Sequence, residues 1–110
     1  MPRINTREAA DFIAALKPFT SNGAIAGEYD DEGAFVVRSY ASAIGVIYPD
    51  QGRAVLNSAK YSVTTSRHQH AARVGVSRLG FEITDETDPA AFEILTGHRA
   101  RLRGANGWGQ

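Results

Sequence analysis

The spacing of hydrophobic residues changes along this chain, and the changes predict a helix, a sheet and then two further helices. In the first segment the apolar residues recur every three to four positions, the period of one helical face, at Ala9, Phe12, Ile13 and Leu16. Asn5, followed three residues later by Glu8, has the spacing of a capping box at the start of a helix. Pro18 ends this helix, because a proline in a helix interior has no amide hydrogen to donate.

The middle of the chain is typical of β-strands, because valine and isoleucine are concentrated in short runs there. Two turn sequences, DDEG and PDQG, each lie between two of these runs, which are residues 24–29, 34–40, 43–48 and 53–57. Each turn ends in a glycine, which adopts the left-handed conformation that tight hairpins need. We therefore predict an antiparallel meander of three or four strands, extended by a short strand at residues 60–63.

After the sheet, the sequence predicts a longer helix that packs on it. Three adjacent residues are favourable N-caps for this helix, namely Thr64, Thr65 and Ser66. We expect it to continue towards residue 79, where Gly80 fits a C-terminal cap. Gly75 costs about 1 kcal/mol relative to alanine inside a helix, so a bend or an early end is expected there.

A short C-terminal helix is predicted from Asp88, which is suited to capping, and Pro89, which is favoured in a first turn. Gly97 ends it. The predicted fold class is therefore α+β: an N-terminal helix, a three- to four-stranded antiparallel sheet, a helix packed on the sheet and a short C-terminal helix. Residues 1–97 are expected to form a single domain, and residues 98–110 a basic and then glycine-rich tail that is partly disordered.

Composition narrows the function classes without selecting one. The 110 residues include 12 Lys and Arg and 12 Asp and Glu, so no net charge attracts the molecule to nucleic acid or to a membrane. The sequence contains no cysteine, which excludes disulfides and thiolate metal sites and fits a reducing cytoplasm. No apolar run is long enough to span a membrane, and residues 1–3 lead into a polar segment rather than a signal peptide.

The densest polar stretch, residues 61–75, is the candidate binding site. At the start of the predicted helix, free amides and the positive end of the helix dipole favour an anion such as a phosphate or a carboxylate. The candidate ligand and nucleic-acid-binding residues are Thr64, Thr65, Ser66, Arg67, His70 and Arg73. The alternative is an ordinary hydroxyl cap with solvated neighbours.

The helical spacing also separates the two histidines of this stretch. His68 falls on the side that faces the sheet, and His70 falls on the solvent side. Because an H-x-H pair on a helix points its rings apart, we predict no metal site. No serine lies in a G-x-S-x-G context, so we predict neither an enzyme nor a cofactor.

The run YSVTTSRHQ, residues 61–69, resembles a Y-S-x-T-T-S-R-H-Q motif in a group of small uncharacterised proteins of actinobacteriophages and actinobacterial genomes. Phe12, Leu16 and Phe19 match the N-terminal helix of that group, and residues 36–47 resemble its tyrosine-rich β segment. The resemblance spans about residues 12–75. It implies a phage accessory protein in the host cytoplasm, and it implies no activity.

Two functions remain open at this point. In the first, the protein is a non-catalytic binding module that contacts nucleic acid or another phosphate-bearing ligand through the helix start. In the second, it is a protein-interaction module, a homo-oligomer or a host-protein binder, that uses a sheet face bearing Tyr29, Tyr40 and Tyr48. The arginines of RARLR, residues 99–103, fit a nucleic-acid arm, an edge strand or plain disorder. Trp108 fits a base-stacking or partner-anchoring role, and the alternative is that it folds back onto its own domain or has no role.

Overall fold

The computed structural model describes residues 2–21 and 24–100, and within them one sheet carries helices on both faces. The strands are β1 Arg3–Ile4, β2 Phe19–Ser21, β3 Ile25–Tyr29, β4 Phe35–Ser39, β5 Ser42–Tyr48, β6 Arg53–Asn57 and β7 Glu82–Glu86. The helices are α1 Ala9–Ala14, α2 Val63–Leu79 and α3 Pro89–Thr96, and a 3-10 helix at Thr6–Glu8 leads directly into α1.

The seven strands lie side by side in their chain order. Neighbouring strands from β2 to β6 are antiparallel, whereas β1 pairs in parallel with β2, and β7 in parallel with β6. The predicted α+β class is confirmed. The predicted count of three or four antiparallel strands is wrong, because β1, β2 and β7 extend the meander, and the parallel pairing of the two edge strands β1 and β7 makes the sheet mixed.

Both predicted hairpins are present, around the turns that precede β4 and β6. The short strand predicted at residues 60–63 is wrong, because Ser62 is the N-cap of α2 and Val63 is already helical. The second and third helices end as predicted, with Gly80 and Gly97 in the left-handed conformation. Asp88 caps α3, where its carboxylate accepts a hydrogen bond from Ala90 N.

The sheet separates two hydrophobic cores. The larger core lies under α1 and α2, where Ile13 and Val76 pack on β-strand residues such as Phe35 and Leu56. The smaller core lies on the opposite face, where Phe92 of α3 is completely buried against Val36, Val46 and Val55. None of the helices in residues 2–21 and 24–100 is long and apolar enough to cross a membrane.

Gly75 lies in a close contact between α1 and α2. A Cβ atom at this position would lie 2.6 Å from Ile13 Cγ2 and 3.0 Å from the backbone oxygen of Ala10. The predicted bend or early end at Gly75 is wrong, since α2 continues to Leu79. The glycine serves packing instead, because only a residue without a Cβ lets the two helices approach this closely.

The first three residues of the predicted tail pack against the sheet. Ala43 N donates to the carbonyl of Arg99 at 2.7 Å, and Ala100 is buried, with its N donating to Glu93 Oε2 at 2.9 Å. His98 Nε2 lies 2.9 Å from Asp30 Oδ2. The rest of the predicted tail, with most of RARLR and with Trp108, lies outside the described residues.

Candidate functional site

The start of α2 is capped by Ser62, not by the hydroxyl cluster that follows it. Ser62 Oγ accepts a hydrogen bond from Thr65 N at 3.1 Å, so the helix begins at Val63. The expectation that Thr64, Thr65 or Ser66 caps the helix is therefore wrong. These residues lie within the first turn, where their side chains point in different directions and do not form a hydroxyl cluster at the helix mouth.

Thr65 and His68 point into the protein and bind the end of β4. Ser39 Oγ lies 2.7 Å from His68 Nδ1 and 3.2 Å from Thr65 Oγ1, and all three residues are buried. The aromatic ring of Tyr40 lies beside the His68 ring, with 6.2 Å between centroids. The prediction that His68 faces the sheet and His70 faces solvent is confirmed.

Two more residues of the polar stretch join α2 to the end of β6 and to the C-terminal segment. Gln69 Nε2 donates to the carbonyls of Asn57 and Ala59, at 2.7 and 2.9 Å. Tyr61 Oη accepts from Asn57 Nδ2 at 2.9 Å and donates to Ala100 O at 2.7 Å. Burial raises the pKa of Tyr61 above its ordinary value, because the protein interior disfavours the charged phenolate.

Arg73 is already bound to an acidic residue. Its guanidinium forms an ion pair with Asp85 of β7 and donates to Ser58 Oγ at 3.3 Å, while Ser58 donates to Asp85 at 2.6 Å. The hydrogen bonds from Arg73 and Ser58 hold the pKa of Asp85 below its ordinary value. The structure therefore separates Arg73 from Arg67, although both belong to the predicted site.

Arg67 and His70 instead line a groove between α2 and the N-terminal segment. The groove has a volume of about 410 Å³. Its rim carries the cationic or polar side chains of Arg7, Arg67, His70 and Thr6. Its floor is apolar and consists of Ala10, Ala71 and Val74. We call this the α1–α2 groove.

The cations of the α1–α2 groove have no acidic partner among the described residues. Within residues 2–21 and 24–100, no ion pair includes Arg7 or Arg67. Nearby acidic residues of the same segment are engaged elsewhere: Glu8 accepts from Asn5 N at 3.0 Å, and Asp11 pairs with Arg78 at 2.7 Å. The groove is therefore a local site of positive charge on a chain whose total charge is zero.

Thr6 and Arg7 were not predicted as site residues. They precede α1 by sequence, about sixty positions before Arg67, and only the packing of α1 on α2 brings them to the same groove. The spacing of residues in one helix cannot indicate a partner on another helix.

A second cavity lies on the other side of α2, and His70 forms part of the wall of both. This cavity has a volume of about 250 Å³ and is lined by Ile44, Leu56, Asn57, Ser58, Ser66, Gln69, His70 and Arg73. Several of its polar groups are already bonded within the protein, as described for Gln69 and Arg73. Thr64 is exposed and lines neither cavity.

The three tyrosines that were predicted to share a sheet face do not form one surface. Tyr29 donates to Leu16 O at 2.8 Å and packs on Phe35, on the side of α1. Tyr48 lies under the guanidinium of Arg53, and Tyr40 occupies the turn between β4 and β5 at the opposite end of the strand from Tyr48.

The match to known proteins covers most of this architecture. A protein-family profile, described as a family of unknown function (DUF8033), matches residues 10–80. The chain belongs to this family. The DUF8033 region extends from α1 to the end of α2, so it contains the groove floor with Arg67 and His70, whereas Thr6 and Arg7 precede it. No curated protein and no solved structure is significantly similar to the chain.

Proposed function

We propose that the protein is a non-catalytic binding protein that holds a phosphate-bearing ligand, foremost nucleic acid, at the α1–α2 groove. The observation that carries this proposal is the presence of Arg7 and Arg67 on one groove, without an acidic partner among the described residues. Guanidinium groups form bidentate, charge-assisted hydrogen bonds with phosphate oxygens, and such bonds are stronger than neutral ones.

A binding role is favoured over a catalytic one by the position of the only serine–histidine contact among the described hydrogen bonds. Ser39 and His68 are each 1% exposed, so a substrate has no access to the hydroxyl. The exposed His70 has no serine or acidic partner in the described part of the chain, and a general base normally needs a reactive group within hydrogen-bond reach.

The resemblance of residues 61–69 to the phage motif supports a proposal about the origin of the protein and where it acts. We infer an accessory protein of a bacteriophage that acts in the host cytoplasm, where nucleic acid is an abundant phosphate-bearing ligand. A zero net charge favours a ligand bound at one site over nonspecific coating of DNA, because long-range attraction is absent.

The test compares two arginines of the same helix. Fluorescence anisotropy with a labelled oligonucleotide at low salt measures the Kd of the parent, Arg67→Ala and Arg73→Ala. We expect Arg67→Ala to weaken binding about tenfold or more, since a hydrogen bond to a charged group contributes about 1.5–3 kcal/mol. Arg73→Ala changes the Kd less than threefold, because Arg73 is paired with Asp85.

Lys17 provides a control for net charge. It is exposed and follows α1 at the end away from the groove, so Lys17→Ala removes one positive charge and leaves the groove intact. Equal weakening by Lys17→Ala and Arg67→Ala would show that only overall charge matters, and it would refute the proposed site.

A second candidate function, protein interaction, is favoured by a separate observation on α3. Ile94 and Leu95 are 85% and 57% exposed, an unusual position for two adjacent large apolar side chains. Light scattering after size exclusion, at several concentrations, would compare the parent with Ile94→Glu. A concentration-dependent mass that the substitution abolishes would support self-association through α3, and a strict monomer would oppose it.

A further inference from the structure

The number of cations on the α1–α2 groove limits how much of a nucleic acid it can contact. Arg7 and Arg67 are its two permanent positive charges, with His70 beside them. Proteins that bind duplex DNA through its backbone commonly neutralise about six to ten phosphates. A groove with two guanidinium groups matches about two phosphates, which is the number that flank one nucleotide in a strand.

The floor of the groove is suited to a different part of the ligand. Ala10, Ala71 and Val74 present apolar surface, which offers nothing to a phosphate group. The volume of about 410 Å³ lies within the roughly 300–1,000 Å³ typical of small-molecule sites, well beyond the space that one phosphate needs. A ligand that fills the groove therefore carries a flat or apolar group together with its negative charge.

A nucleobase is such a group, provided that it is not stacked in a duplex. Bases in a double helix have their faces covered by neighbouring bases, whereas an unstacked base can be held in a pocket against aromatic or apolar side chains or a guanidinium plane. The combination of an apolar floor with two guanidinium groups thus fits an unstacked nucleotide better than it fits a regular duplex.

We infer that the groove binds one nucleotide unit of a single-stranded nucleic acid, with the base on Ala10, Ala71 and Val74 and the flanking phosphates on Arg7 and Arg67. This inference rests on the proposed function, since it specifies the ligand of the same site. The second cavity plays no part in it.

The experiment uses four labelled or competing probes with the full-length protein: a 12-nucleotide oligo-dT strand, an abasic strand with the same phosphates, a 12-base-pair duplex, and inorganic pyrophosphate. Fluorescence anisotropy measures direct binding of the labelled nucleic acids, and competition against the labelled oligo-dT strand measures the affinity for pyrophosphate. We expect the oligo-dT strand to bind about tenfold more tightly than the abasic strand and the duplex. Each phosphate contact with a single strand contributes about −0.7 to the slope of log K against log salt, so two contacts predict a slope of about −1.4.

Two floor variants separate the base from the phosphates. Ala71→Leu fills the groove, and we expect it to remove the preference for oligo-dT over the abasic strand while abasic binding stays within twofold. Val74→Thr has nearly the same volume and replaces a methyl by a hydroxyl, so it weakens the same preference even if Ala71→Leu does not fold. Ala90→Leu, in half-buried α3 surface away from the groove, is the matched control.

The outcomes distinguish the inference from the proposed function. Equal binding of oligo-dT and the abasic strand, or tighter binding of the duplex, would overturn the nucleotide site and leave phosphate binding in place. Failure of every probe, pyrophosphate included, to bind with a Kd below about 1 mM would overturn both. A slope near zero with tight oligo-dT binding would overturn the assignment of the phosphates to the two arginines.

Discussion

Replacing Gly75 by alanine tests the helix contact on which the α1–α2 groove depends. The new Cβ would lie 2.6 Å from Ile13 Cγ2, 2.7 Å from Ile13 Cβ and 3.0 Å from the carbonyl oxygen of Ala10. Favourable contacts between carbon atoms lie near 3.5–4.0 Å. Ile13 is completely buried and the Ala10 oxygen belongs to the backbone, so neither neighbour can move away freely.

Two opposing effects set the magnitude of this change. Alanine in place of glycine favours a helix by about 1 kcal/mol, which acting alone would stabilise α2. Overpacking a tight interior typically costs about 1–3 kcal/mol. Because Gly75→Ala creates three contacts at or below 3.0 Å, we expect its cost near the upper end of this range. We therefore expect a net loss of about 1–2 kcal/mol in the free energy of unfolding, with a melting temperature lower by about 4–8 °C.

Urea unfolding followed by circular dichroism measures this loss. Ser77→Ala, at an exposed position of the same helix, is the control for helix propensity and should stabilise by a few tenths of a kcal/mol. The double variant Gly75→Ala with Ile13→Ala should lose less free energy of unfolding than the two single variants lose together, because the smaller side chain at residue 13 relieves one of the clashes. If Gly75→Ala instead stabilises the protein by about 1 kcal/mol, α1 does not lie against Gly75 and the groove does not have the walls described above.

Three further predictions concern the rest of the fold. Ser39→Ala removes a buried hydrogen-bond partner of His68 and should lower the free energy of unfolding by about 1–2 kcal/mol in the same urea titration; an unchanged midpoint would contradict the buried contact. The pKa of Asp85 is lower in the folded state than in the unfolded chain because of Arg73, so its contribution to stability is present above about pH 4 and is lost as the pH falls through the folded-state pKa. Asp85→Asn should therefore reduce stability at pH 7 and leave a shallower acid dependence, and an acid unfolding curve identical to that of the parent would refute this. Phe92→Ala should cost about 3–5 kcal/mol, because the ring is completely buried between α3 and the sheet; a cost below 1 kcal/mol would show that α3 is not seated there.

The elements that the sequence predicts well are those with chemical signals inside a few residues. Gly52 follows a proline-led turn, and it adopts the left-handed conformation before β6 begins. Asp88 and Pro89 start α3, and Gly97 ends it. In each case one residue fixes a backbone angle or supplies a cap, so the prediction needs no knowledge of the rest of the fold.

The three strands outside the predicted meander, β1, β2 and β7, lack such clear signals. β1 and β2 contain two and three residues, too few for any alternation to be visible. β7 overlaps the run FEI, which by sequence alone fits either a brief strand or a connector, and it joins the sheet in parallel only because α2 carries the chain back over the sheet. A parallel pair requires a long crossover, so its pairing is a property of the tertiary structure rather than of the local sequence.

The candidate site also depends on the tertiary structure, so the sequence indicates only some of its features. The helical spacing correctly separated His68 from His70, because burial follows the face of a helix. The spacing could not show that Arg73 binds Asp85 whereas Arg67 binds no described acid, since the pairing of β7 with the sheet is what brings Asp85 beside Arg73. It also could not show Arg7, which belongs to a different helical segment.

The polar stretch of residues 61–70 has inward side chains that anchor α2 and outward side chains that line the groove, and the anchoring positions the outward side chains. Its inward side chains hold α2 to β4 through Ser39, and to the end of β6 through the carbonyls of Asn57 and Ala59. Bonds to separate places on the sheet fix both the position of α2 and its rotation about its own axis. A helix held in this way presents Arg67 and His70 to the groove in a fixed orientation. For the binding role proposed above, little ordering of the backbone is then needed, which leaves more of the interaction energy for affinity.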